Sequence, residues 1–554
     1  MAEKFKVPVE KGKIYTIDIV RLGAGGEGVG RVENFTVFVD GALPGETVTA
    51  CITYVKKQYA VGRPESIQKA SPHRVKPSCP VYADCGGCQL QHLSYEGQLA
   101  EKQRQVKDAV EHIGKLKDIP VLPTLGSERP WNYRNKMQLP VGGEKKTVHI
   151  GCFAEKSHRI IDINACPIQK DGNNQIIPVV RQWMKDYKIP AYDEDRRTGI
   201  VRHIMGRTGV HSGEIMVCIV TAVSVVPHMK DLVHMLRKEV PGLTSVMQNI
   251  NTRHTNVILG NKTKVIYGSP TISDSIGDLN FRISAQSFFQ VNSEQAQKLY
   301  ETALSYADLT GKETVVDVYC GTGTITLFLA KQARYVYGIE IVEPAVRDAV
   351  KNAKDNGIRN AHFTCGDAAY KLPELLQSGI KPDVIVIDPP RAGCEEKVLN
   401  VITSVKPKRV VYVSCNPATL ARDLAYMKTR GYKTEKIRPV DMFPQTHHVE
   451  CVALLSKLDS KRHISVELPI EELDLTSAES KATYKQIQNY VFEKFGFKVS
   501  TLYIAQVKRK YGLDIGEHYN ISKNENQKVP QCPIEKEEAI LDALKHFKMI
   551  KDGF

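Results

Sequence analysis

The 554-residue sequence predicts a soluble, multidomain α/β protein. It should comprise a small N-terminal β-barrel, a mixed α+β central region, a domain built on a parallel sheet, and a small, mainly helical C-terminal appendage. Three observations carry this reading. A single hydrophobic core stops growing at roughly 250–300 residues, so a chain of this length divides into about three or four domains. Hydrophobic residues make up 42% and charged residues 25%, a globular balance, and no uncharged apolar run reaches the ~18 residues that would span a bilayer. The hydrophobic pattern also changes along the chain, from short alternating strands to apolar β runs separated by helical segments.

Residues 1–68 form the first domain. "YTIDIVRL", "GVGRVENFTVFVD" and "ETVTACITYVKKQYAVGRPESI" alternate apolar and polar residues between turn signals. Several such strands with no helical pattern between them predict a small barrel of the oligonucleotide-binding kind. The second domain, 69–282, opens on "CPVYADCGGCQLQH", where Cys79, Cys85 and Cys88, three of 13 cysteines, fall within ten residues. Close thiols suit a metal or iron–sulfur site or a disulfide. The N-terminus "MAEKFKVPVEKGK" lacks the apolar stretch of a signal peptide, so a reducing cytoplasm is expected, and this favours the metal or cluster. A helical stretch follows, "YEGQLAEKQRQVKDAVEHIG", whose charges read as a solvated face. Strand candidates such as "GEIMVCIVTAV" fill the rest, and in "WNYRNKMQLPV" Arg134 and Lys136 take solvent-facing or phosphate-binding positions.

Residues 283–456 change character. "ETVVDVY", "YVYGIE", "DVIVID" and "RVVYVS" are apolar β runs alternating with helical segments, the pattern of a Rossmann-like parallel sheet covered on both faces. Residues 457–554 form the appendage, in which "TYKQIQNYVFEKFGFKVSTLYIAQVKRKYGL" reads as helix, short turn and basic helix.

In the parallel-sheet domain the chemistry-bearing residues fall at strand ends, where ligands bind in open α/β sheets. Tyr319, Gly321 and Gly323 form a glycine-rich turn before a helical segment. Glu340 lies nineteen residues past Gly321, the spacing at which a carboxylate accepts hydrogen bonds from ribose hydroxyls. A nucleoside-containing cofactor is expected, though no third glycine completes a hydride-transfer fingerprint. Asp367 follows another short apolar stretch. Asp388 ends a strand in "DVIVIDPPRAG", whose two prolines fix an extended turn, either a plain strand end or a wall for a planar base. Cys415 follows "RVVYVS", and the helix starting near Pro417 would favour its thiolate. Glu450 sits in "VECVALL", where a carboxylate is costly unless partnered or functional. A net charge of +14 adds the expectation of a polyanionic partner, nucleic acid.

Five motifs in order, "FFQVN" (288–292), "DVYCGTGT" (317–324), "DPPR" (388–391), "SCNP" (414–417) and "DMFPQTHHVE" (441–450), resemble the RNA uracil-5-methyltransferases that use S-adenosylmethionine. "EGVGRV" (27–32) resembles a TRAM domain. Cys79, Cys85 and Cys88, spaced x5 and x2, with Cys166 in "NACPIQ", resemble the family's iron–sulfur segment. The resemblance covers 1–456 and stops before the appendage. It implies a class I methyltransferase domain in which Cys415 is the nucleophile and Glu450 the general base. Gln290, Tyr319, Gly321, Thr324, Glu340, Asp367 and Asp388 would bind the cofactor, and Phe288, Asp388 and Arg391 the substrate. Cys79, Cys85, Cys88 and Cys166 would hold a 4Fe-4S cluster, with zinc as the alternative. The implied enzyme is a cytoplasmic monomer, free of membrane, acting on 23S ribosomal RNA; the alternatives are a transfer RNA enzyme and a non-catalytic RNA-binding protein on the same fold. Thr322 and Thr324 depart from the family, standing where many relatives carry Met and Asn. For the appendage two roles stay open, RNA contact through Lys508, Arg509 and Lys510 or a structural cap.

Overall fold

A computed structural model of the chain describes residues 7–143, 147–254, 257–458, 484–511, 532–547 and 549. It divides into two compact units, Met1–Asp459 and Ser460–Phe554.

The first unit begins with the expected barrel. Strands β1 (Ile14–Leu22), β2 (Gly28–Val32), β3 (Phe35–Val39), β4 (Thr47–Val55) and β5 (Tyr59–Lys69) close in the order β1-β2-β3-β5-β4. Alternation turns Ile17, Ile19, Val37, Val39, Val48 and Ile52 into the lumen. Gly30 is required there, because a Cβ would lie 2.3 Å from Ile17 Cγ2 and 2.5 Å from the Asp18 carbonyl oxygen.

Helix α1 (Tyr95–Asp108) follows the cysteine segment, its N-terminus capped by Ser94, which accepts a hydrogen bond from Gly97 N at 3.2 Å. The solvated face expected of α1 is only partial: Gln98 and Lys102 are each 1% exposed, because this side of the helix packs onto the loop beginning at Asp441. Val106, Val110 and Leu116 join the core of the parallel-sheet domain, and short bridges tie Val121 to Ile437 and Leu125 to Val440. The segment just after the cysteines therefore packs with the parallel-sheet domain, more than 200 residues further along the chain.

The central sheet contains β6 (Lys136–Gly142), β7 (His149–Phe153), β8 (Ile160–Asp162), β9 (Val201–Thr208), β10 (Ile215–Thr221), β11 (Leu243–Ile250) and β12 (Lys262–Gly268), in the order β12-β11-β10-β9-β6-β7-β8. Helices α2 (Asp171–Asp186) and α3 (Met229–Glu239) cover it, with Trp183 fully buried. The hairpin of β13 (Ile272–Ile276) and β14 (Leu279–Ile283) comes next. Its Ile272, Ile276, Phe281 and Ile283 share a core with the following domain, so by packing that domain starts before residue 283.

The parallel-sheet domain is built from α4 (Ser293–Ala307), β15 (Thr314–Val318), α5 (Thr324–Ala330), β16 (Tyr335–Glu340), α6 (Glu343–Asp355), β17 (Ala361–Cys365), α7 (Ala368–Gln377), β18 (Val384–Ile387), α8 (Glu396–Val405), β19 (Arg409–Ser414), α9 (Pro417–Thr429), β20 (Tyr432–Val440) and β21 (Glu450–Lys457). The strand order is β17-β16-β15-β18-β19-β21-β20. Strands β15 to β19 run parallel, and β21 inserts antiparallel between β19 and β20. The apolar runs are explained by burial on both faces: Val384 and Val386 pack in one core, Ile385 and Ile387 in the other.

In the second unit α10 (Tyr484–Phe495), α11 (Thr501–Lys510) and α12 (Ile534–His546) pack around Ile487, Val491, Ile504, Val507, Ile540 and Leu544. The two helices and turn expected from the sequence are present, and two of the three cations of the basic run face outward. Lys508 is 4% exposed, whereas Arg509 and Lys510 are exposed, Lys510 pairing with Glu537 at 2.5 Å. The start of the appendage, 459–483, lies outside the described residues.

Candidate active site

Strand geometry assembles the candidate catalytic residues. Asp388 directly follows β18, Cys415 directly follows β19, and Glu450 is the first residue of β21. Because β21 runs antiparallel to β19 with Ser414 opposite Cys451, the next rung sets Cys415 beside Glu450 although 35 residues separate them. Both open onto a cavity of about 440 Å³ that Phe288, Gln290, Tyr319, Gly321, Thr324, Asp388 and Arg391 also line.

The glycine-rich turn forms the cavity floor. Tyr319, Gly321 and Gly323 all have left-handed backbone, with φ of 70°, 55° and 82°. At Gly323 a Cβ would sit 3.1 Å from Ala349 Cβ and from the Phe363 ring, so the turn requires glycine both for its φ and for its packing. Glu340 accepts from Gly321 N at 3.0 Å and from Val342 N at 2.8 Å, which fixes it against the turn. Glu340 and Asp367 stand apart from the cavity wall; Asp367 caps α7, accepting from Ala369 N at 2.8 Å. Beneath the turn Asp317 is fully buried, accepts from Thr326 Oγ1 at 2.5 Å, and is pushed up to about 7 by burial.

The "FFQVN" stretch is clamped from the central sheet. Asn135 donates to the Gln290 carbonyl at 3.0 Å, and buried Arg207 donates to the Ala285 and Ser287 carbonyls. This leaves Phe288 69% exposed at the cavity mouth while Phe289 is buried.

The electrostatics favour the neutral forms of Glu450 and Cys415 near pH 7. Glu450, 9% exposed, is pushed up to about 8 by burial and then by the nearby Asp388, with Arg391 pulling the other way. Burial also raises Asp388 to about 6. Burial, then the carboxylates of Glu450 and Asp388, push the Cys415 thiol up to about 11, so they outweigh whatever the helix start at Pro417 contributes toward the thiolate. Among the first amides of α9, that of Ala418 is taken by the Asn416 side chain at 3.0 Å.

A second cavity, of about 450 Å³, is lined by Cys79, Cys85, Cys88 and Cys166, so the structure gathers all four predicted thiols. It adds a fifth, Cys152 on β7, which lies 14 residues before Cys166 in the sequence and went unread because no cysteine neighbours it. A hydrogen bond with Cys152 holds the Cys85 thiol down, whereas burial raises Cys79 and Cys166, and raises Cys88 to about 12. Among the described residues no three His, Cys, Asp or Glu side chains converge to hold a single metal ion. The two cavities share Arg134, Arg391, Phe443 and His448 as a common wall. Of these, Phe443 and His448 carry no sequence signal beyond lying in the "DMFPQTHHVE" motif. No helix among the described residues is long and apolar enough to cross a membrane.

Residues 94–458 match the tRNA (Uracil-5-)-methyltransferase family and residues 8–64 the TRAM domain. An uncharacterized RNA methyltransferase of Halalkalibacterium halodurans is 49% identical over 82% of this chain and 99% of its own length. One from Clostridium tetani is 46% identical over 83% of this chain and 100% of its own. Among solved structures, the Pyrococcus abyssi tRNA (uracil-54, C5)-methyltransferase in complex with S-adenosyl-L-homocysteine superposes with a TM-score of 0.64 at 27% identity, covering 80% of this chain and all of that one. The family match ends at 458, so the second unit lies beyond it. The closed barrel, the strand-end cavity and these matches agree: the chain belongs to the S-adenosylmethionine-dependent RNA uracil-5-methyltransferase family and carries a TRAM domain.

Proposed function

We propose that this enzyme methylates carbon 5 of specific uridines in large-subunit (23S) ribosomal RNA, with Cys415 as nucleophile and Glu450 as general base. The observation that carries the mechanism is the single cavity lined by Cys415, Glu450 and Asp388, with Glu450 buried in its wall.

Carbon 5 of uracil is too weak a nucleophile to take up a methyl group directly. Addition of the Cys415 thiolate to carbon 6 turns the ring into an enolate with a nucleophilic carbon 5. S-adenosylmethionine, for which the glycine-rich turn leaves room beside Gln290, Tyr319 and Thr324, supplies the electrophilic methyl group when bound. Glu450 in its carboxylate form then removes the carbon 5 proton, the carbon 5–carbon 6 double bond re-forms, and the thiolate leaves carbon 6. Arg391 favours the ionised forms of both Cys415 and Glu450. Exposed Phe288 offers a ring face on which the flipped base stacks, offsetting part of the few kcal/mol that unstacking costs. Asp388, between the turn and Cys415, holds the cofactor or the uracil edge.

Cys79, Cys85, Cys88 and Cys166 hold a 4Fe-4S cluster in this reading. With four thiolates it would be fully ligated and structural. The support is the resemblance of the four-cysteine set together with one cavity that all four thiols line; four thiolates also suit a single zinc ion, the alternative. Ribosomal RNA is favoured by the pairing of a TRAM barrel with the four-cysteine set. Transfer RNA is the second reading, favoured by the likeness to the Pyrococcus abyssi tRNA enzyme. Incubation with methyl-labelled S-adenosylmethionine and either 23S or transfer RNA transcripts, followed by mapping of 5-methyluridine, decides between them. Label in transfer RNA alone overturns the ribosomal assignment, and a Cys415→Ala variant that still methylates overturns the nucleophile.

A further inference from the structure

We infer that Lys102 is a positioning residue for the general base, and that α1, through Lys102, Gln98 and Tyr95, holds the loop from Asp441 in the conformation that delivers Glu450 to the cavity. The three side chains lie at i, i+3 and i+7, one face of the helix. Lys102 Nζ donates to Asp441 Oδ1 at 2.5 Å and to the Phe443 carbonyl at 3.1 Å. Tyr95 Oη donates to the other Asp441 oxygen at 2.9 Å. Gln98 binds Gln445 twice, accepting from its backbone N at 2.9 Å and donating to its Oε1 at 3.0 Å. The Gln445 carbonyl in turn accepts from Gln89 N and Leu90 N, the residues directly after Cys88. From the other side, Gln295 donates to the Asp441 carbonyl at 3.0 Å and Asn292 to that of Met442 at 3.2 Å.

Two features distinguish this from ordinary packing. Lys102 and Asp441 are 1% and 0% exposed, and a buried ion pair is poor value for stability, since well-packed apolar residues often do as well. Gln445 sits at φ 70°, a left-handed conformation that a non-glycine residue keeps only when its surroundings impose it. The contacts thus hold a loop in a shape it does not prefer, five residues before Glu450, and that loop carries Phe443 and His448 into the cavity wall. Because Gln89 and Leu90 grip the same loop, the cysteine segment is part of the clamp.

This inference rests on Glu450 being the base. The step it governs is the last one: the carbon 5–hydrogen bond breaks with the proton going to Glu450, the electron pair forms the carbon 5–carbon 6 bond, and the carbon 6–sulfur bond breaks. A displaced base stalls the enzyme after methyl transfer, as a covalent Cys415–RNA adduct. The test uses the full-length protein with Glu450→Gln, Lys102→Met, Lys102→Arg and Tyr95→Phe, measuring kcat, KM and the fraction of protein in an adduct stable to denaturing electrophoresis. Lys102→Met should lower kcat about 10- to 100-fold, the scale expected when a reacting group is misplaced by about 1 Å, with KM falling alongside because the slowed step follows methyl transfer. It should accumulate adduct; Lys102→Arg should recover most of the kcat, and Tyr95→Phe should show the same trend more weakly. Wild-type kcat in Lys102→Met, or turnover and adduct falling together, overturns the inference while Glu450→Gln still traps adduct. Failure of Glu450→Gln to trap adduct overturns the base assignment and this inference with it. Should Lys102→Met not fold, an unchanged kcat in Tyr95→Phe is the overturning result.

Discussion

Glu450→Gln should stabilise the folded protein, and increasingly so as pH rises from 5 to 9. An ordinary glutamate titrates near 4.5, whereas burial carries Glu450 to about 8 in the folded state. Between those values the folded protein keeps a proton that the unfolded chain has released. The folded state therefore binds more protons, and stability falls as pH rises through this window, levelling off above about 8. At about 1.36 kcal/mol per pH unit of separation, the full penalty is about 5 kcal/mol, and relaxation and water at the cavity wall reduce it to about 2–4 kcal/mol. Gln keeps the shape without the titration. An unfolding entropy of about 2.1 cal/mol/K per residue over roughly 450 residues converts each kcal/mol into about 1 °C. Differential scanning calorimetry at pH 5, 7 and 9 and constant ionic strength should find the variant's Tm close to wild type at pH 5 and about 2–4 °C higher at pH 9. Asp317 and Asp388 are present in both proteins, so their own titrations largely cancel. A Tm difference that stays flat or shrinks with rising pH would refute the buried, proton-holding glutamate.

The same ionisation shapes turnover: kcat should climb between pH 6 and 8 as Glu450 gains its charge, and kcat/KM should rise throughout because the Cys415 thiol is pushed up to about 11. A profile flat across pH 6–9 contradicts both roles. Gly323→Ala places a methyl group at φ 82° against Ala349 and Phe363, and should cost about 1–3 kcal/mol of stability while weakening S-adenosylhomocysteine binding in isothermal titration calorimetry. Unaltered binding would remove the turn from the cofactor site. Cys166→Ser should lose the visible absorbance and iron of anaerobically prepared protein, whereas Cys218→Ser, buried in the central sheet, should keep both. Zinc in place of iron in the wild type would favour the single-ion alternative.

Much of the architecture was legible because it is written locally. Period-2 alternation in the first 68 residues is sufficient for a barrel wall, and continuous apolar runs such as "DVIVID" indicate strands covered on both faces. The left-handed turn at Gly321 and Gly323 follows from residue type. Strand ends then place Tyr319, Asp388 and Cys415 on one edge of the sheet by pattern alone, since parallel strands deliver their carboxyl ends to the same side. One feature misled. The charges of α1 looked solvated, but Lys102 is buried by a loop more than 300 residues away; of the basic run on α11, only Lys508 is buried.

The amino-acid sequence by itself determined which segments become strands and helices and which edge of the sheet carries the reactive groups, since both depend on periodicity and residue type. Only the tertiary structure decided that Cys415 faces Glu450, that five thiols share one cavity, and that a lysine of α1 holds the loop before the base. Those depend on the antiparallel insertion of β21 beside β19 and on desolvation by distant segments. The acidity of a carboxyl or thiol, and the partner of a charge, are set by whatever part of the chain excludes water from it, and no local window of sequence contains that information.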